Sequence, residues 1–352
     1  MEENTKMTIN ENIAYLKHFG LKVSFWKNLN AVLKNRFNGK LAWKIHNINN
    51  DVIEKYISNK CVNTIESALG ENFKDDMTNI VKLQNEETKQ VKKNNTIWMM
   101  WWQGEKNAPP IVRICIDSIK KNSNGHPVII IDKFNYKNYV SIPEIILKRY
   151  EEGKNDNTYL KDTVLTITHF SDIIRTALLY NYGGVWIDAT IFMTDTIPSR
   201  YFLDEFTTLG EDNTWFIGEG KYSSWFMGCL AGNLLMKFIY QMHIEYLINE
   251  KYYINYLMIY SIIDIGYKKI PKFKEMIDSI QSGNNKALTI NRMYDREADE
   301  KFLEEFLKEQ HIHKLSWKWW GNDANAPLNI KTEDNKLTYF GYLYKKYMNN
   351  NI

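Results

Sequence analysis

The chain of 352 residues is poor in the features that mark extracellular and nucleic-acid-binding proteins. It has three cysteines, Cys61, Cys115 and Cys229, whose positions match neither a disulfide framework nor the spacing of a metal site. Its 45 basic and 42 acidic side chains leave a net charge of +3, which gives no reason to expect a nucleic-acid partner. These shortages favour a globular protein of the reducing cytoplasm.

The sequence also lacks an uninterrupted hydrophobic run of the length that a membrane-spanning helix needs. The most apolar long stretch, residues 252–265, contains Asn255 and Asp264 and is shorter than the roughly 20 residues that cross a bilayer. Residues 1–12 are polar and acidic, which is not typical of a signal peptide. We therefore expect a cytoplasmic protein that does not cross the membrane.

Acidic residues are missing from positions 12–50, a stretch that carries seven lysine and arginine side chains. Trp26, Leu29, Leu33 and Phe37 recur there at helical spacing, the pattern of a basic amphipathic helix on an anionic membrane surface. The alternative is a helix that packs this stripe on the rest of the protein and leaves its basic side chains in water. The sequence leaves both interpretations open.

The order of the predicted elements divides the chain into two regions, 1–94 and 95–352. The first is predicted to be helical and to lie either on a membrane surface or next to the binding site of an acceptor substrate. In the second, short apolar strands alternate with helices, the strands falling at 96–102, 127–131 and 184–188. Such alternation predicts the α/β class, with a mostly parallel sheet between layers of helices.

The most informative segment is 170–190, which reads as an amphipathic helix, a glycine pair and a short apolar strand. Asp172 and Arg175 are three residues apart and so share one face of the helix. Gly183 and Gly184 provide the helix stop, and Asp188 follows the strand at its carboxyl end, where α/β proteins bind ligands. Asp172, Arg175 and Asp188 are therefore predicted to converge on a cleft for a charged, polyhydroxylated ligand held with a metal.

Each of these residues also has an ordinary structural explanation. An aspartate and an arginine three apart on a helix most often form a surface ion pair. An aspartate at a strand end is often a cap. A helix, a glycine pair, an apolar strand and an aspartate in one segment are a much less common combination. That combination favours the functional interpretation.

The motif Ser-Asp-x-x-Arg followed by Gly-Gly-x-x-x-Asp resembles the donor site of glycosyltransferase family 32, the capsular polysaccharide synthesis transferases and the large clostridial toxin glucosyltransferases. Trp-Trp-Gln-Gly at 101–104 is similar to the end of the first strand of the nucleotide-sugar domain in the capsular transferases. The resemblance covers about residues 95–320. It implies a GT-A type nucleotide-sugar-binding fold and retaining transfer of a hexose, galactose or glucose, from a UDP-sugar to a lipid-linked oligosaccharide during capsule or surface-polysaccharide synthesis.

The resemblance also implies roles for individual residues. Asp188 would contact ribose and a Mn²⁺ or Mg²⁺ ion, Asp172 the donor sugar hydroxyls, and Arg175 the sugar or the diphosphate. Trp101 would stack on uracil, although a core tryptophan at a strand end is an equally ordinary reading. Thr190 stands where the family usually has its second acid, and a hydroxyl is a weaker metal ligand than a carboxylate.

A C-terminal segment is expected to compensate for Thr190. By the same resemblance, His313 and Ser316 are predicted metal ligands, and Ser316 and Trp317 are predicted donor contacts. His313 could equally be a packed or acceptor-facing residue, and Asp195 is a weaker substitute ligand that reads better as a turn residue. Metal dependence is thus an expectation of the resemblance.

Two other functions remain open at this point. Thr190 in place of an acid fits a non-catalytic sugar-nucleotide-binding or scaffold subunit of a polysaccharide assembly complex. A glycoside hydrolase with paired carboxylates is disfavoured because the acids lie beside an arginine and a glycine turn.

Overall fold

The computed structural model describes residues 8–34, 39–70, 73, 94–160, 163–210, 217–280, 286–317 and 329–348. Within these ranges four helices come first: α1 (Ile9–Phe19), α2 (Leu21–Lys34), α3 (Lys40–Lys60) and α4 (Val62–Leu69). The other described helices lie among the strands, singly or in groups: α5 (Pro110–Lys121), α6 (Tyr136–Tyr139), α7 (Glu144–Lys154), α8 (Ile167–Tyr182), α9 (Leu234–Asn249), α10 (Met258–Lys269), α11 (Pro271–Asp278), α12 (Glu300–Glu309) and α13 (Tyr339–Met348).

Five strands form the main sheet: β1 (Ile97–Met100), β2 (Val128–Ile131), β3 (Gly184–Ile187), β5 (Phe206–Thr208) and β6 (Phe226–Cys229). Their order across the sheet is β2-β1-β3-β6-β5. β1 pairs in parallel with β2 and β3, whereas β6 is antiparallel to both β3 and β5. Four of the five strands therefore point the same way, and the predicted α/β class with a mostly parallel sheet is confirmed.

A second, smaller sheet lies directly after β3. It pairs β4 (Ile191–Met193) with β7 (Ile312–Lys314) in antiparallel register. This ribbon fixes the C-terminal segment beside the end of β3, because Ile191 lies opposite Lys314.

Strand side chains alternate between two hydrophobic cores, one on each face of the main sheet. Trp98 and Trp186 point into the first core, where α8, α9 and α10 contribute most of the packing. Val185 and Ile187 point into the second core, which α5, α12 and α13 cover. Burial on both faces explains why these strands are continuous apolar runs rather than alternating ones.

The N-terminal helices pack on the α/β part of the chain. Tyr15 of α1 is buried in the first core, and its hydroxyl donates to the backbone oxygen of Ile254 at 2.8 Å. Glu250, just after α9, accepts hydrogen bonds from His18 of α1 (2.7 Å) and Tyr56 of α3 (2.6 Å). The described parts of the two predicted regions, 1–94 and 95–352, thus share one core.

The stripe expected to face a membrane is partly turned toward the protein. Trp26 packs against the first core, and Leu29 and Leu33 are half-buried. Phe37 lies outside the described residues. A different set of apolar side chains is exposed on α1 and α2, namely Ile9, Ile13, Leu16, Leu21, Phe25 and Val32. Within the described ranges, none of the helices has the length and hydrophobicity needed to cross a membrane.

The glycine pair ends α8 as the sequence predicts. Gly183 has φ +65°, and its N–H donates to the backbone oxygen of Leu179 at 2.9 Å. A Cβ atom on Gly184, which has φ +89°, would lie 2.2 Å from the backbone oxygen of Thr96. Only glycine fits both the positive φ and this close approach, so the pair brings β3 directly against β1.

Candidate functional site

The site is built at the carboxyl end of β3, where Asp188 begins a tight turn into β4. The N–H of Ile191 donates to the backbone oxygen of Asp188 at 2.9 Å, which closes the turn. The side chain of Asp188 accepts a hydrogen bond from the indole N–H of Trp186 at 2.9 Å on Oδ1. The Asp188 side chain is 24% exposed, so a ligand can reach it from outside.

Arg175 of α8 lies between the two aspartates. Its Nη2 is 3.2 Å from Asp172 Oδ1 and 3.3 Å from Asp188 Oδ1. Its Nη1 donates to the backbone oxygen of Ser224, and its guanidinium lies over the ring of Trp186 at 4.8 Å. The predicted convergence of Asp172, Arg175 and Asp188 is therefore present in the structure.

Neighbouring charges make the protonation of the two buried carboxyls differ. Burial raises the pKa of Asp172 to about 7, because the opposing charge of Arg175 is only partly effective and Asp188 adds repulsion. Burial would also raise the pKa of Asp188, but the charges of Lys314 and Arg175 outweigh it and hold that pKa below its ordinary value. Asp188 is thus an anion at neutral pH, while Asp172 is poised between its two forms.

Lys314 is a site residue that the sequence analysis missed. It ends β7, and its Nζ lies 2.8 Å from Asp188 Oδ2 and 2.7 Å from Thr190 Oγ1. One ammonium therefore bridges the two side chains of the Asp-x-Thr turn. The signal available in the sequence was weak: a lysine next to His313 in a segment already suspected of reaching the site.

His313 does not reach the position expected of it. It is fully buried, with its ring between Phe192 (6.1 Å between centroids) and Phe306 (5.5 Å). Burial lowers its pKa to about 4, so the ring is neutral at pH 7. Because neighbouring strand residues point to opposite faces, the segment presents Lys314 to Asp188 and turns His313 into the second core. In the structure His313 is a packed residue, which was the alternative to the metal-ligand prediction.

Ser316 and Asp195, the other two candidate ligands, have different surroundings. Ser316 is buried, and its backbone N–H donates to the hydroxyl of Tyr294 at 3.2 Å. Asp195 lies on an exposed bend, 3.9 Å from His311, as expected of a turn residue.

Trp101 and Trp317 form an aromatic pair at the same edge of the sheet. The β1–β3 register places Trp98 beside Trp186, so Met100 is level with Asp188 and Trp101 lies one residue further along. The two indole rings meet edge to face, with centroids 5.6 Å apart. Trp101 is half-buried against the second core, and its indole N–H has no hydrogen-bond acceptor among the described residues.

The side chains at Asp188 do not fit a Mn²⁺ or Mg²⁺ ion. These ions prefer several oxygen ligands, usually including one or two carboxylates. Of the two carboxylates that the described residues bring together here, Asp172 is buried against Arg175. Asp188 is the more exposed one, and it already accepts bonds from Trp186, Arg175 and Lys314. In the part of the chain that the structure describes, no three histidine, cysteine or acidic side chains gather as metal ligands. The expected metal therefore stays a prediction that this donor set does not support.

Comparison with known proteins agrees with the resemblance in the sequence. A 109-residue segment, 29% of this chain, is 31% identical to the O-glycosyltransferase braB of Annulohypoxylon truncatum and covers 24% of that protein's length. The solved structure of PaToxG Glycosyltransferase is similar at a TM-score of 0.35 and 18% identity, over 65% of this chain and 84% of that one, which is too distant to support an argument.

A much longer match defines the family. Residues 44–330 match the family described as capsular polysaccharide synthesis protein. This range runs from α3 to beyond β7 and contains each of the site residues described above. The chain therefore belongs to the capsular polysaccharide synthesis protein family.

Proposed function

We propose that the protein is a glycosyltransferase that moves a hexose, galactose or glucose, from a UDP-sugar to a lipid-linked oligosaccharide with retention of configuration. The observation that carries this proposal is the gathering of Asp172, Arg175 and Asp188 at the carboxyl end of the parallel strands. In open α/β sheets this edge is where ligands bind. Membership of a capsular polysaccharide synthesis family supports the proposed pathway.

The charges at the site suit a sugar diphosphate. Arg175 and Lys314 supply two fixed positive charges that can stabilise the diphosphate as the glycosidic bond breaks. Asp172, when ionised, can accept hydrogen bonds from sugar hydroxyls. In the retaining reaction that the resemblance implies, the leaving phosphate oxygen takes the acceptor proton, so the protein needs no separate base.

The aromatic pair suits a nucleotide base. Trp317 is 43% exposed and meets Trp101 within reach of the Asp188 edge. A base stacked on either ring would bury apolar surface. These features favour a nucleotide-sugar donor over a free sugar.

The exposed apolar face of α1 and α2 favours action at the cytoplasmic face of a membrane. Ile9, Ile13 and Leu16 share one face of α1, and Leu21, Phe25 and Val32 share one face of α2, all exposed. The surrounding stretch 12–50 carries basic residues and no acidic ones. Exposed apolar side chains in a segment rich in basic residues suit an anionic lipid surface, where a lipid-linked acceptor is also found.

The test is a screen of UDP-sugars against the purified full chain, with UDP release and transfer to a lipid-linked oligosaccharide extract as readouts. We expect one UDP-hexose to be hydrolysed slowly and transferred to the extract. Asp188→Asn and Asp172→Asn should each remove both activities, whereas the matched variant Asp195→Asn, on an exposed bend, should keep them.

The outcomes separate the competing functions. UDP binding with neither hydrolysis nor transfer would favour the non-catalytic sugar-nucleotide-binding subunit. Full activity in Asp188→Asn and Asp172→Asn would refute the site assignment. Glycan cleavage without any nucleotide would favour a hydrolase.

A further inference from the structure

The position of Lys314 relative to the Asp-x-Thr turn is the starting point. Its ammonium lies 2.8 Å from the carboxylate of Asp188 and 2.7 Å from the hydroxyl of Thr190. These are the two side chains that would share a metal ion if residue 190 were an acid. A monovalent cation supplied by the protein thus occupies the space between them.

The backbone holds this lysine firmly in place. The N–H of Lys314 donates to the backbone oxygen of Ala287, and the N–H of Leu315 donates to that of Thr190, both at 2.9 Å. The β4–β7 pairing adds a second tether, since Ile191 and Lys314 are register partners. The ammonium is therefore preorganised at the site, because the backbone that carries it belongs to a paired strand.

The ammonium also has capacity left for a ligand. A lysine has three N–H donors, and the contacts to Asp188 and Thr190 use two of them. The Lys314 side chain is 20% exposed, so part of it can be reached from outside. A compact, strongly charged ammonium is a suitable partner for phosphate oxygens.

The charges of Asp188 and Lys314, beside the neutral Thr190, suit a site without a divalent cation. With an acid at position 190, two carboxylates would need a divalent cation to neutralise them. With Thr190, one carboxylate and one ammonium are already balanced, and a divalent ion bound to Asp188 Oδ2 would repel Lys314 at close range.

We propose that Lys314 takes the place of the divalent cation at this site, binding the donor diphosphate directly so that the transfer is independent of metal. This inference rests on the proposed nucleotide-sugar transferase function. It adds that Lys314 contacts the leaving group and stabilises the charge that develops there as the glycosidic bond breaks.

The experiment measures UDP binding to the full chain by titration calorimetry, in EDTA and in Mn²⁺. We expect the dissociation constant in EDTA to stay within about twofold of the value in Mn²⁺. Lys314→Met, which keeps the aliphatic stem, should weaken UDP binding by about 10- to 100-fold, as expected for the loss of a charge-assisted hydrogen bond. Lys314→Arg, which keeps the charge, should recover most of that loss.

The matched control is Lys336→Met, which removes an exposed lysine paired with Glu297 at 2.8 Å and should leave UDP binding unchanged. Binding that disappears in EDTA and returns with Mn²⁺ would overturn the role of Lys314 while leaving the transferase proposal intact. UDP binding in neither condition would overturn both proposals. If Lys314→Met does not fold, the EDTA comparison on the unaltered chain decides the question.

Discussion

Arg175 and Asp188 are joined by a bond of 3.3 Å between Nη2 and Oδ1, which links the middle of α8 to the end of the strand that follows it. Arg175 also contacts Asp172 one helical turn earlier. A single guanidinium thereby fixes the positions of both acids that the proposed mechanism uses. Its removal should affect both stability and activity.

Arg175→Met should lower the free energy of unfolding by about 3–5 kcal/mol, because it leaves the buried Asp172 without its charged partner. It should also abolish UDP-sugar hydrolysis. Urea denaturation measures the first effect. Arg113→Met, on the exposed side of α5, is the matched control and should change stability by less than about 1 kcal/mol. A stable, active Arg175→Met protein would show that the arginine does not organise the site.

Asp172 should make stability depend on pH. Its pKa is about 7 in the folded protein but about 4 when unfolded, so the folded state holds the proton more tightly between these values. The contribution of Asp172 to the free energy of unfolding therefore falls as pH rises from about 4 to 7. Asp172→Asn, which stays neutral, should be more stable relative to the unaltered chain at pH 8 than at pH 5. Urea denaturation at both values checks this, and an unchanged difference would contradict the raised pKa.

Trp101 should contribute to nucleotide affinity. Loss of a base–aromatic stack costs about 1–3 kcal/mol, so Trp101→Ala should raise the dissociation constant for UDP roughly 5- to 150-fold. Trp101→Phe should lose less, because it keeps a ring. Trp43→Ala, at a partly exposed position of α3, is the control. Equal UDP affinity in Trp101→Ala and the unaltered chain would assign Trp101 to the core.

Glu250 should anchor the N-terminal helices in a pH-dependent way. Burial works against its charge, but the hydrogen bonds from Tyr56 and His18 lower its pKa to about 2. Its contribution to stability is therefore present above about pH 4.5 and is lost as pH falls toward 2.

Glu250→Gln should accordingly reduce the free energy of unfolding at pH 7 by about 1.5–3 kcal/mol, and the difference should shrink below pH 4. Circular dichroism during urea and acid titrations measures both. Glu66→Gln, on the exposed face of α4, should have little effect. A difference that grows toward low pH would show that the pKa of Glu250 is not lowered.

The exposed face of α1 and α2 should bind anionic vesicles. Leu21→Glu with Phe25→Glu should reduce sedimentation with such vesicles by tenfold or more. Burying each of the two apolar side chains in the lipid would contribute about 1.5–3 kcal/mol to the binding free energy. Phe134→Glu, an exposed phenylalanine far along the chain, is the matched control. Deleting residues 1–50 is a poor test, because Tyr15 and Phe19 belong to the first core. Equal sedimentation of the double variant and the control would dismiss this surface.

Much of the fold follows from local patterns. The helix that contains Asp172 and Arg175 ends at the glycine pair, and the strand at 184–187 lies within a residue of its predicted bounds. Strands β5 and β6 were not predicted. Phe226–Cys229 is four residues long and buried throughout, so it has no alternation to distinguish it from other apolar segments.

The sequence by itself determined the α/β class and the local geometry of Asp172, Arg175 and Asp188, because helical spacing and a glycine stop act over a few residues. The tertiary structure decided which distant side chain meets that group. Lys314 and Asp188 are 126 positions apart, and the pairing of β4 with β7 selects Lys314 rather than His313 to face the site. A one-residue change of register exchanges the two faces of a strand, and that choice depends on packing that no short motif records.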